Sequence, residues 1–266
     1  MAQTSDLSAD RNAQSTQQRL INAAIPLIAE HGLQNLSFRV INKAAGARNQ
    51  MAISYHFGSM EGLLQAGLLQ ALQPYVAALG ARLDALLERH PADAVPVAEL
   101  AAAMLDPMMA MAARPSGLIE LKFVSRVASS AGEYGLPLIT RELTPATHRL
   151  IALLAASRPD VPAASLGLRV VFGFNTLLQT LAHWDSPQLW PASVQSVEQL
   201  APALHDYLVG GLSGPLPAPS PPRRRHSPAS RPRPAGSSRR GRRRHGFLPT
   251  PRPKLHAAGD KPKKMR

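Results

Sequence analysis

Residues 37–57 read SFRVINKAAGARNQMAISYHF, and the parsing of this stretch decides the fold. Ser37 suits an N-cap, because its hydroxyl can take up backbone N–H groups that the first helical turn leaves free. Leu36 before the cap and Ile41 four positions into the helix form a hydrophobic staple. The helix continues through Val40, Ile41 and Ala44 to Ala45-Gly46. Asn49 then caps a second short helix over Gln50 to His56. Two short helices around a glycine-containing turn meet the physical requirements of a helix-turn-helix.

Upstream, Ser15 and Gln18 have capping-box spacing, so a helix is expected to start at Ser15. Leu20, Ile21, Ala24, Leu27 and Ile28 follow on one apolar face, and His31-Gly32 ends it. Pro26 inside this helix predicts a kink. Residues 1–14 read as a flexible arm. Downstream, the segment after Glu61 reads as one amphipathic helix to about Arg89. Leu63, Leu64, Leu68, Leu72, Val76, Leu79, Leu83, Leu86 and Leu87 share its broad apolar face. Further helices are predicted near 96–112, 117–130, 136–157, 163–184 and 194–211. No useful length of strand-like alternation occurs. The chain therefore reads as all-α, with a three-helix helix-turn-helix head over 15–60 and a larger helical domain over 61–212.

The head also resembles a known family. RLINAAIPLIAEHGLQNLSFRVINKAAGARNQMAISYHFGSMEGLL is similar to the DNA-binding domain of the TetR (tetracycline-repressor) family. The resemblance rests on Ala23-Ala24 to Gly32, Ser37, Ile41, Ala45-Gly46 and above all Tyr55-His56-Phe57-Gly58-Ser59 with Glu61 and Leu63. It implies a homodimeric transcription regulator, a repressor released by a small apolar effector, on double-stranded DNA with a palindromic operator. Ile53 and Phe57 would be core. Tyr55 and His56 would touch phosphates, which position a protein without reading sequence. Gln50, Met51 and Ser54 would face base edges. Ser37 would offer a hydroxyl and free N–H groups to a phosphate, and Arg39, Arg48 and Asn49 complete the expected DNA-binding set. Three features depart from the family pattern: the turn Ala47-Arg48-Asn49 is one residue longer, Asn42 replaces a small apolar residue, and Met60 stands where a phosphate-binding Lys is common.

Composition narrows the alternatives. The chain lacks cysteine, which excludes disulfides, thiolate metal sites and thiol nucleophiles. The opening MAQTSDLSADRNAQSTQQ has no apolar h-region of a secretory signal. The longest apolar stretch, Leu166 to Trp184, is interrupted by Arg169, Asn175 and Gln179, which argues against a membrane span. A cytoplasmic location is the expectation. The net charge is +13, but Ser213 to Arg266 alone carries 16 Lys/Arg against Asp260. The remainder is close to neutral, so DNA binding by the folded part must rest on local motifs. Histidines lack i, i+4 metal spacing, no Gly-rich phosphate loop occurs, and no serine sits in a strained elbow. Neither a catalytic group, a metal site nor a cofactor is expected.

In the helical domain, Leu166, Val170, Phe174, Leu177, Leu178 and Leu181, with Val197, Leu200, Leu204 and Leu208, recur at three and four. They fit a four-helix dimer interface or an internal core face equally. Met104, Met108, Met109 and Met111 suit an adaptable effector pocket or packed core. Glu120, Arg126, His148, His183 and Trp184 could supply polar handles. The effector candidates are therefore Met104, Met108, Glu120, Arg126, His148 and Phe174. Residues 213–266, rich in Arg, Pro, Ser and Gly, read as disordered. They bind phosphate backbones non-specifically, the basis of an alternative function for the whole chain, or they have no function, as an altered reading frame in GC-rich DNA would encode.

Overall fold

The computed structural model describes residues 2–130 and 135–215. All regular structure among them is helical. The head consists of α1 (Ala2–His31), a 3-10 turn (Leu33–Asn35), α2 (Phe38–Ala44) and α3 (Ala52–Phe57). The body follows as α4 (Met60–Arg89), α5 (Val97–Ala112), α6 (Gly117–Ser129), α7 (Gly135–Ser157) and α8 (Ala163–Ala182). A 3-10 turn (Val197–Leu200) leads into α9 (Ala201–Ser213). The chain falls into two units, Met1–Pro217 and Ala218–Arg266, and every described residue belongs to the first. Of the basic segment, everything from 216 onward lies outside the described residues.

The body helices match their predicted spans within a few residues. The start of the first helix does not. Helical backbone extends back to Ala2, and Ser15 lies inside α1 instead of opening it. The physical reason is that a cap ends a helix only where the preceding chain leaves helical geometry. Asp10 to Gln14 contain neither Gly nor Pro to force that exit. Pro26 is accommodated inside α1.

Helix α4 shows why the body folds as it does. Its predicted leucines from Leu63 to Leu86 are buried, while Val76 is only partly covered and Leu87 is exposed. Tyr75 fills the core at that level instead. Its ring meets Phe174 of α8 edge-on, with centroids 5.8 Å apart, and its hydroxyl donates to the Met104 carbonyl at 3.4 Å. Burial pushes the phenol well above its ordinary value, so it stays neutral. Pro74 removes the backbone bond that would join its nitrogen to the Gln70 carbonyl. The Gln70 side chain faces α1, accepting from Gln18 Nε2 at 2.7 Å and donating to Asn22 Oδ1 at 3.2 Å. Helix α1 also packs along α6, where Arg126 Nε reaches the Ala29 carbonyl at 3.5 Å. The head is thus seated on α4 and α6 together.

Candidate functional site

The outward face of the head is built from its core. Ile41 of α2 and Ile53 of α3 are fully buried, and the small Ala45 and Ala52 beside them let the two helices approach closely. Phe57 packs partly buried against this core. With those side chains inside, the helical period turns Tyr55 outward, and Gln50 and Met51 are exposed in the turn before α3. Tyr55 is 79% and Met51 63% exposed, large apolar surfaces with no intramolecular cover. Arg39, Arg48, Asn49 and Gln50 are exposed as well, and Ser54 and His56 are half-buried. Tyr55 and His56 stack edge-on with ring centroids 4.9 Å apart.

Of the expected residues, Arg48, Asn49, Tyr55 and His56 line one open cleft of about 470 Å³. The cleft also contains Thr16 and Arg19 from α1, joined by a bond from Arg19 Nη2 to Thr16 Oγ1 at 3.3 Å. Sequence reading missed these two. Their signal was available: they are polar, one turn apart, at the edge of the apolar face begun by Leu20. Ser37 is not part of this cleft. It caps α2 with extended backbone but no side-chain bond, and lines a separate groove with Phe38, Met60 and Ser130.

The turn between α2 and α3 is held by Asn42. Asn42 is buried, and its Nδ2 donates to the Gln50 carbonyl at 2.5 Å. Its own carbonyl accepts from Ala47 N–H at 2.9 Å. Asn49 Oδ1 accepts from Met51 N–H at 2.9 Å, so it caps the turn before α3 begins at Ala52. The Gln50 carbonyl thus has a donor from inside the head, which a small apolar side chain at position 42 could not supply.

The exit from α3 is equally constrained. Gly58 has φ +74°, the left-handed geometry that favours glycine. Ser59 Oγ then accepts from Gly62 N–H at 3.1 Å to open α4. A Cβ on Gly62 would lie 2.1 Å from the Phe57 carbonyl oxygen. Electrostatically, residues 19–59 hold Arg19, Arg39, Lys43 and Arg48 against Glu30 alone, and α2, the turn and α3 contain no carboxylate. The body is of opposite sign, since 60–212 carries 13 Asp/Glu and 9 Lys/Arg. An exposed, aromatic and locally basic surface can hold a polyanion.

The body presents two further features. A pocket of about 330 Å³ lies between α7 and α8, with Ala128 of α6 at one end. Leu143, Val170, Phe174 and Leu178 form its apolar wall, while Thr144, His148 and Asn175 are among its polar members. Of the effector candidates, only His148 and Phe174 are there. Met104 and Met108 are fully packed core. Glu120 is bound by Ser116 Oγ at 2.8 Å and ion-paired with Arg114, and Arg126 is directed at α1. These placements follow from how the helices pack, which residue type alone does not reveal.

The second feature is an outward apolar face. The apolar positions of α8 and α9 singled out by periodicity are all buried within this chain, which identifies them as core. Leu168, Val171 and Phe172 of α8 and Tyr207 of α9 are instead exposed, and Gly210 and Gly211 have open space where a Cβ would be. Among the described residues no group of His, Cys, Asp and Glu could hold a metal ion. No described helix is long and apolar enough to cross a membrane.

Two family models match the chain. "Bacterial regulatory proteins, tetR family" covers residues 20–66, and "Tetracyclin repressor-like, C-terminal domain" covers 102–211. No curated protein matches. Among solved structures, the TetR family transcriptional regulator PfmR from Thermus thermophilus is 22% identical; the match covers 72% of this chain and 94% of that one, with a TM-score of 0.49. The multidrug binding protein EbrR, solved with malachite green, is likewise 22% identical, over 72% of this chain and 96% of that one, with a TM-score of 0.45.

Proposed function

Because the chain belongs to the TetR family and is a DNA-binding transcriptional regulator, we propose that it is a homodimeric repressor released by a small molecule. The observation that carries the reading is the outward face of the head, where Arg48, Asn49, Tyr55 and His56 share one cleft and no carboxylate occurs on α2, the turn or α3. Tyr55, His56, Arg48 and Arg19 bind phosphates and set the register of the head. Gln50 and Met51, exposed in the turn just before α3, meet base edges. Glutamine pairs bidentately with adenine, and a methionine touches the thymine methyl. Ser37 and Arg39 extend the phosphate contacts from the start of α2.

The dimer forms through Leu168, Val171, Phe172 and Tyr207, the apolar face of α8 and α9 left uncovered in the single chain. Two heads spaced about 34–36 Å apart then meet successive half-sites of a palindrome. The effector enters the pocket between α7 and α8. Phe174 lines that pocket and packs on Tyr75 of α4, the helix that continues into the head. Occupancy therefore favours one placement of α4 and lowers operator affinity by population shift. Such a protein works on chromosomal DNA, which places it in the cytoplasm, and its chemistry is binding, without catalysis.

A gel shift against the DNA upstream of its own gene tests this reading. Sequence-specific retardation that disappears in Tyr55→Ala/His56→Ala is the expected result; unchanged retardation removes these residues from the interface. Deleting 213–266 separates the reading from non-specific coating by the basic segment. The specific complex survives if the head reads the operator, and all retardation vanishes if the basic segment does.

A further inference from the structure

We propose that the pocket between α7 and α8 takes a neutral, largely apolar molecule bearing a hydroxyl group, and discriminates against organic cations and anions; this rests on the effector reading above. Leu143, Val170, Phe174 and Leu178 are buried and give the pocket its apolar wall. Among the described residues no Lys, Arg, Asp or Glu lines it, and His148, exposed at the rim, is its one ionisable side chain. An ion entering such a site gives up hydration without meeting an opposite charge, which disfavours it strongly. The basic head has the reverse character, so the two sites of this chain select opposite classes of ligand.

The polar groups of the pocket define the rest of the ligand. The Thr144 hydroxyl donates to the Thr140 carbonyl at 2.5 Å, and the Thr147 hydroxyl to the Leu143 carbonyl at 2.9 Å. Asn175 Nδ2 donates to the Val171 carbonyl at 2.9 Å. With both hydroxyl donors and one of the two Asn175 N–H groups engaged along their own helices, the lone pairs on the two threonine oxygens and on Asn175 Oδ1 outnumber the donors left, the second Asn175 N–H and a His148 ring N–H. A ligand hydroxyl supplies the missing donor, whereas an ether of the same shape does not. The pocket volume of about 330 Å³ falls at the small end of the roughly 300–1,000 Å³ range of small-molecule sites. Val171 and Asn175 line the pocket and are exposed on α8. A second copy seated on that face would close the mouth and strengthen the exclusion of ions.

The test is a series on one scaffold, measured by calorimetry on the full chain: 2-naphthol, 2-methoxynaphthalene, 2-naphthoate and 2-naphthyltrimethylammonium. The naphthol should bind about tenfold tighter than its methyl ether, one net hydrogen bond, and both ions should bind more weakly than the ether. In Thr144→Val/Asn175→Leu the naphthol should fall to the affinity of the ether, which itself stays unchanged. Equal binding of naphthol and ether by the native chain, tighter binding of either ion, or no binding by any member overturns the proposal. A gel shift with naphthol reads the effector hypothesis separately. Selective binding without operator release would sink that hypothesis and leave the ligand class standing.

Discussion

The outward face of the head and the outward face of α8 and α9 both leave large apolar side chains uncovered, yet their surroundings differ. Tyr55 and Met51 are flanked by Arg48, Asn49 and Gln50. Phe172, Leu168 and Tyr207 share their helices with the exposed Val171, Gly210 and Gly211. A contiguous exposed apolar patch marks an interface; its polar company says what it meets. An aromatic among arginines suits a phosphate backbone. An apolar patch beside glycines suits a close-packed copy of itself, because glycine lets backbones approach.

The comparison breaks most visibly at the body. If the proposed dimer face is correct, Leu168→Asp/Phe172→Asp would place unpaired carboxylates in it, at a cost of roughly 3–5 kcal/mol. Sedimentation should show a folded monomer at micromolar concentration, and operator affinity should fall more than about a hundredfold. A dimer that persists would remove this face from the interface.

Arg48→Glu is expected to have the next largest effect. It should weaken operator binding by about 1–3 kcal/mol and make the salt dependence shallower by roughly one to two phosphate equivalents. Sedimentation should stay that of a dimer, since the two faces act independently.

Asn42→Leu probes the support behind the DNA face. Leaving the Gln50 carbonyl without its donor costs about 1–3 kcal/mol, read as a fall in Tm of roughly 2–4 °C per kcal/mol. Operator affinity should drop with it, because the start of α3 loses its anchor. Unchanged melting and binding would show that the bond is dispensable.

The smallest effect sharpens the contrast. Leu69 is exposed on α4 and is not one of the residues of either face. Leu69→Gln should change stability by less than about 0.5 kcal/mol and leave sedimentation and the gel shift untouched. A loss of dimer or of DNA binding there would show that exposure without company is enough.

Much of this was legible in the sequence. Periodicity in Leu, Ile and Ala located the helices from α2 onward, because an amphipathic helix must place its apolar residues on one stripe to be buried. The run Tyr55-His56-Phe57-Gly58-Ser59 carried the family resemblance and marked the end of α3, because glycine at φ +74° and a serine cap are local requirements that the chain must write locally. The start of α1 was not legible, since the capping box at Ser15 is a local signal that continuous helix overrides. Thr16 and Arg19 were missed because their role depends on where α1 lies against α3.

The sequence alone determined the helical class, the head and its basic outward residues, since each follows from spacing within a few turns. Only the tertiary structure decided which stripe of α8 is core and which is surface. Leu166, Val170 and Phe174 turned inward and Leu168, Val171 and Phe172 outward, and periodicity cannot choose between two apolar stripes on one helix. It also decided that Phe174 and His148 line a pocket while Met104 and Met108 do not. A cavity is the space left between packed helices, a property of their mutual placement that no single segment encodes.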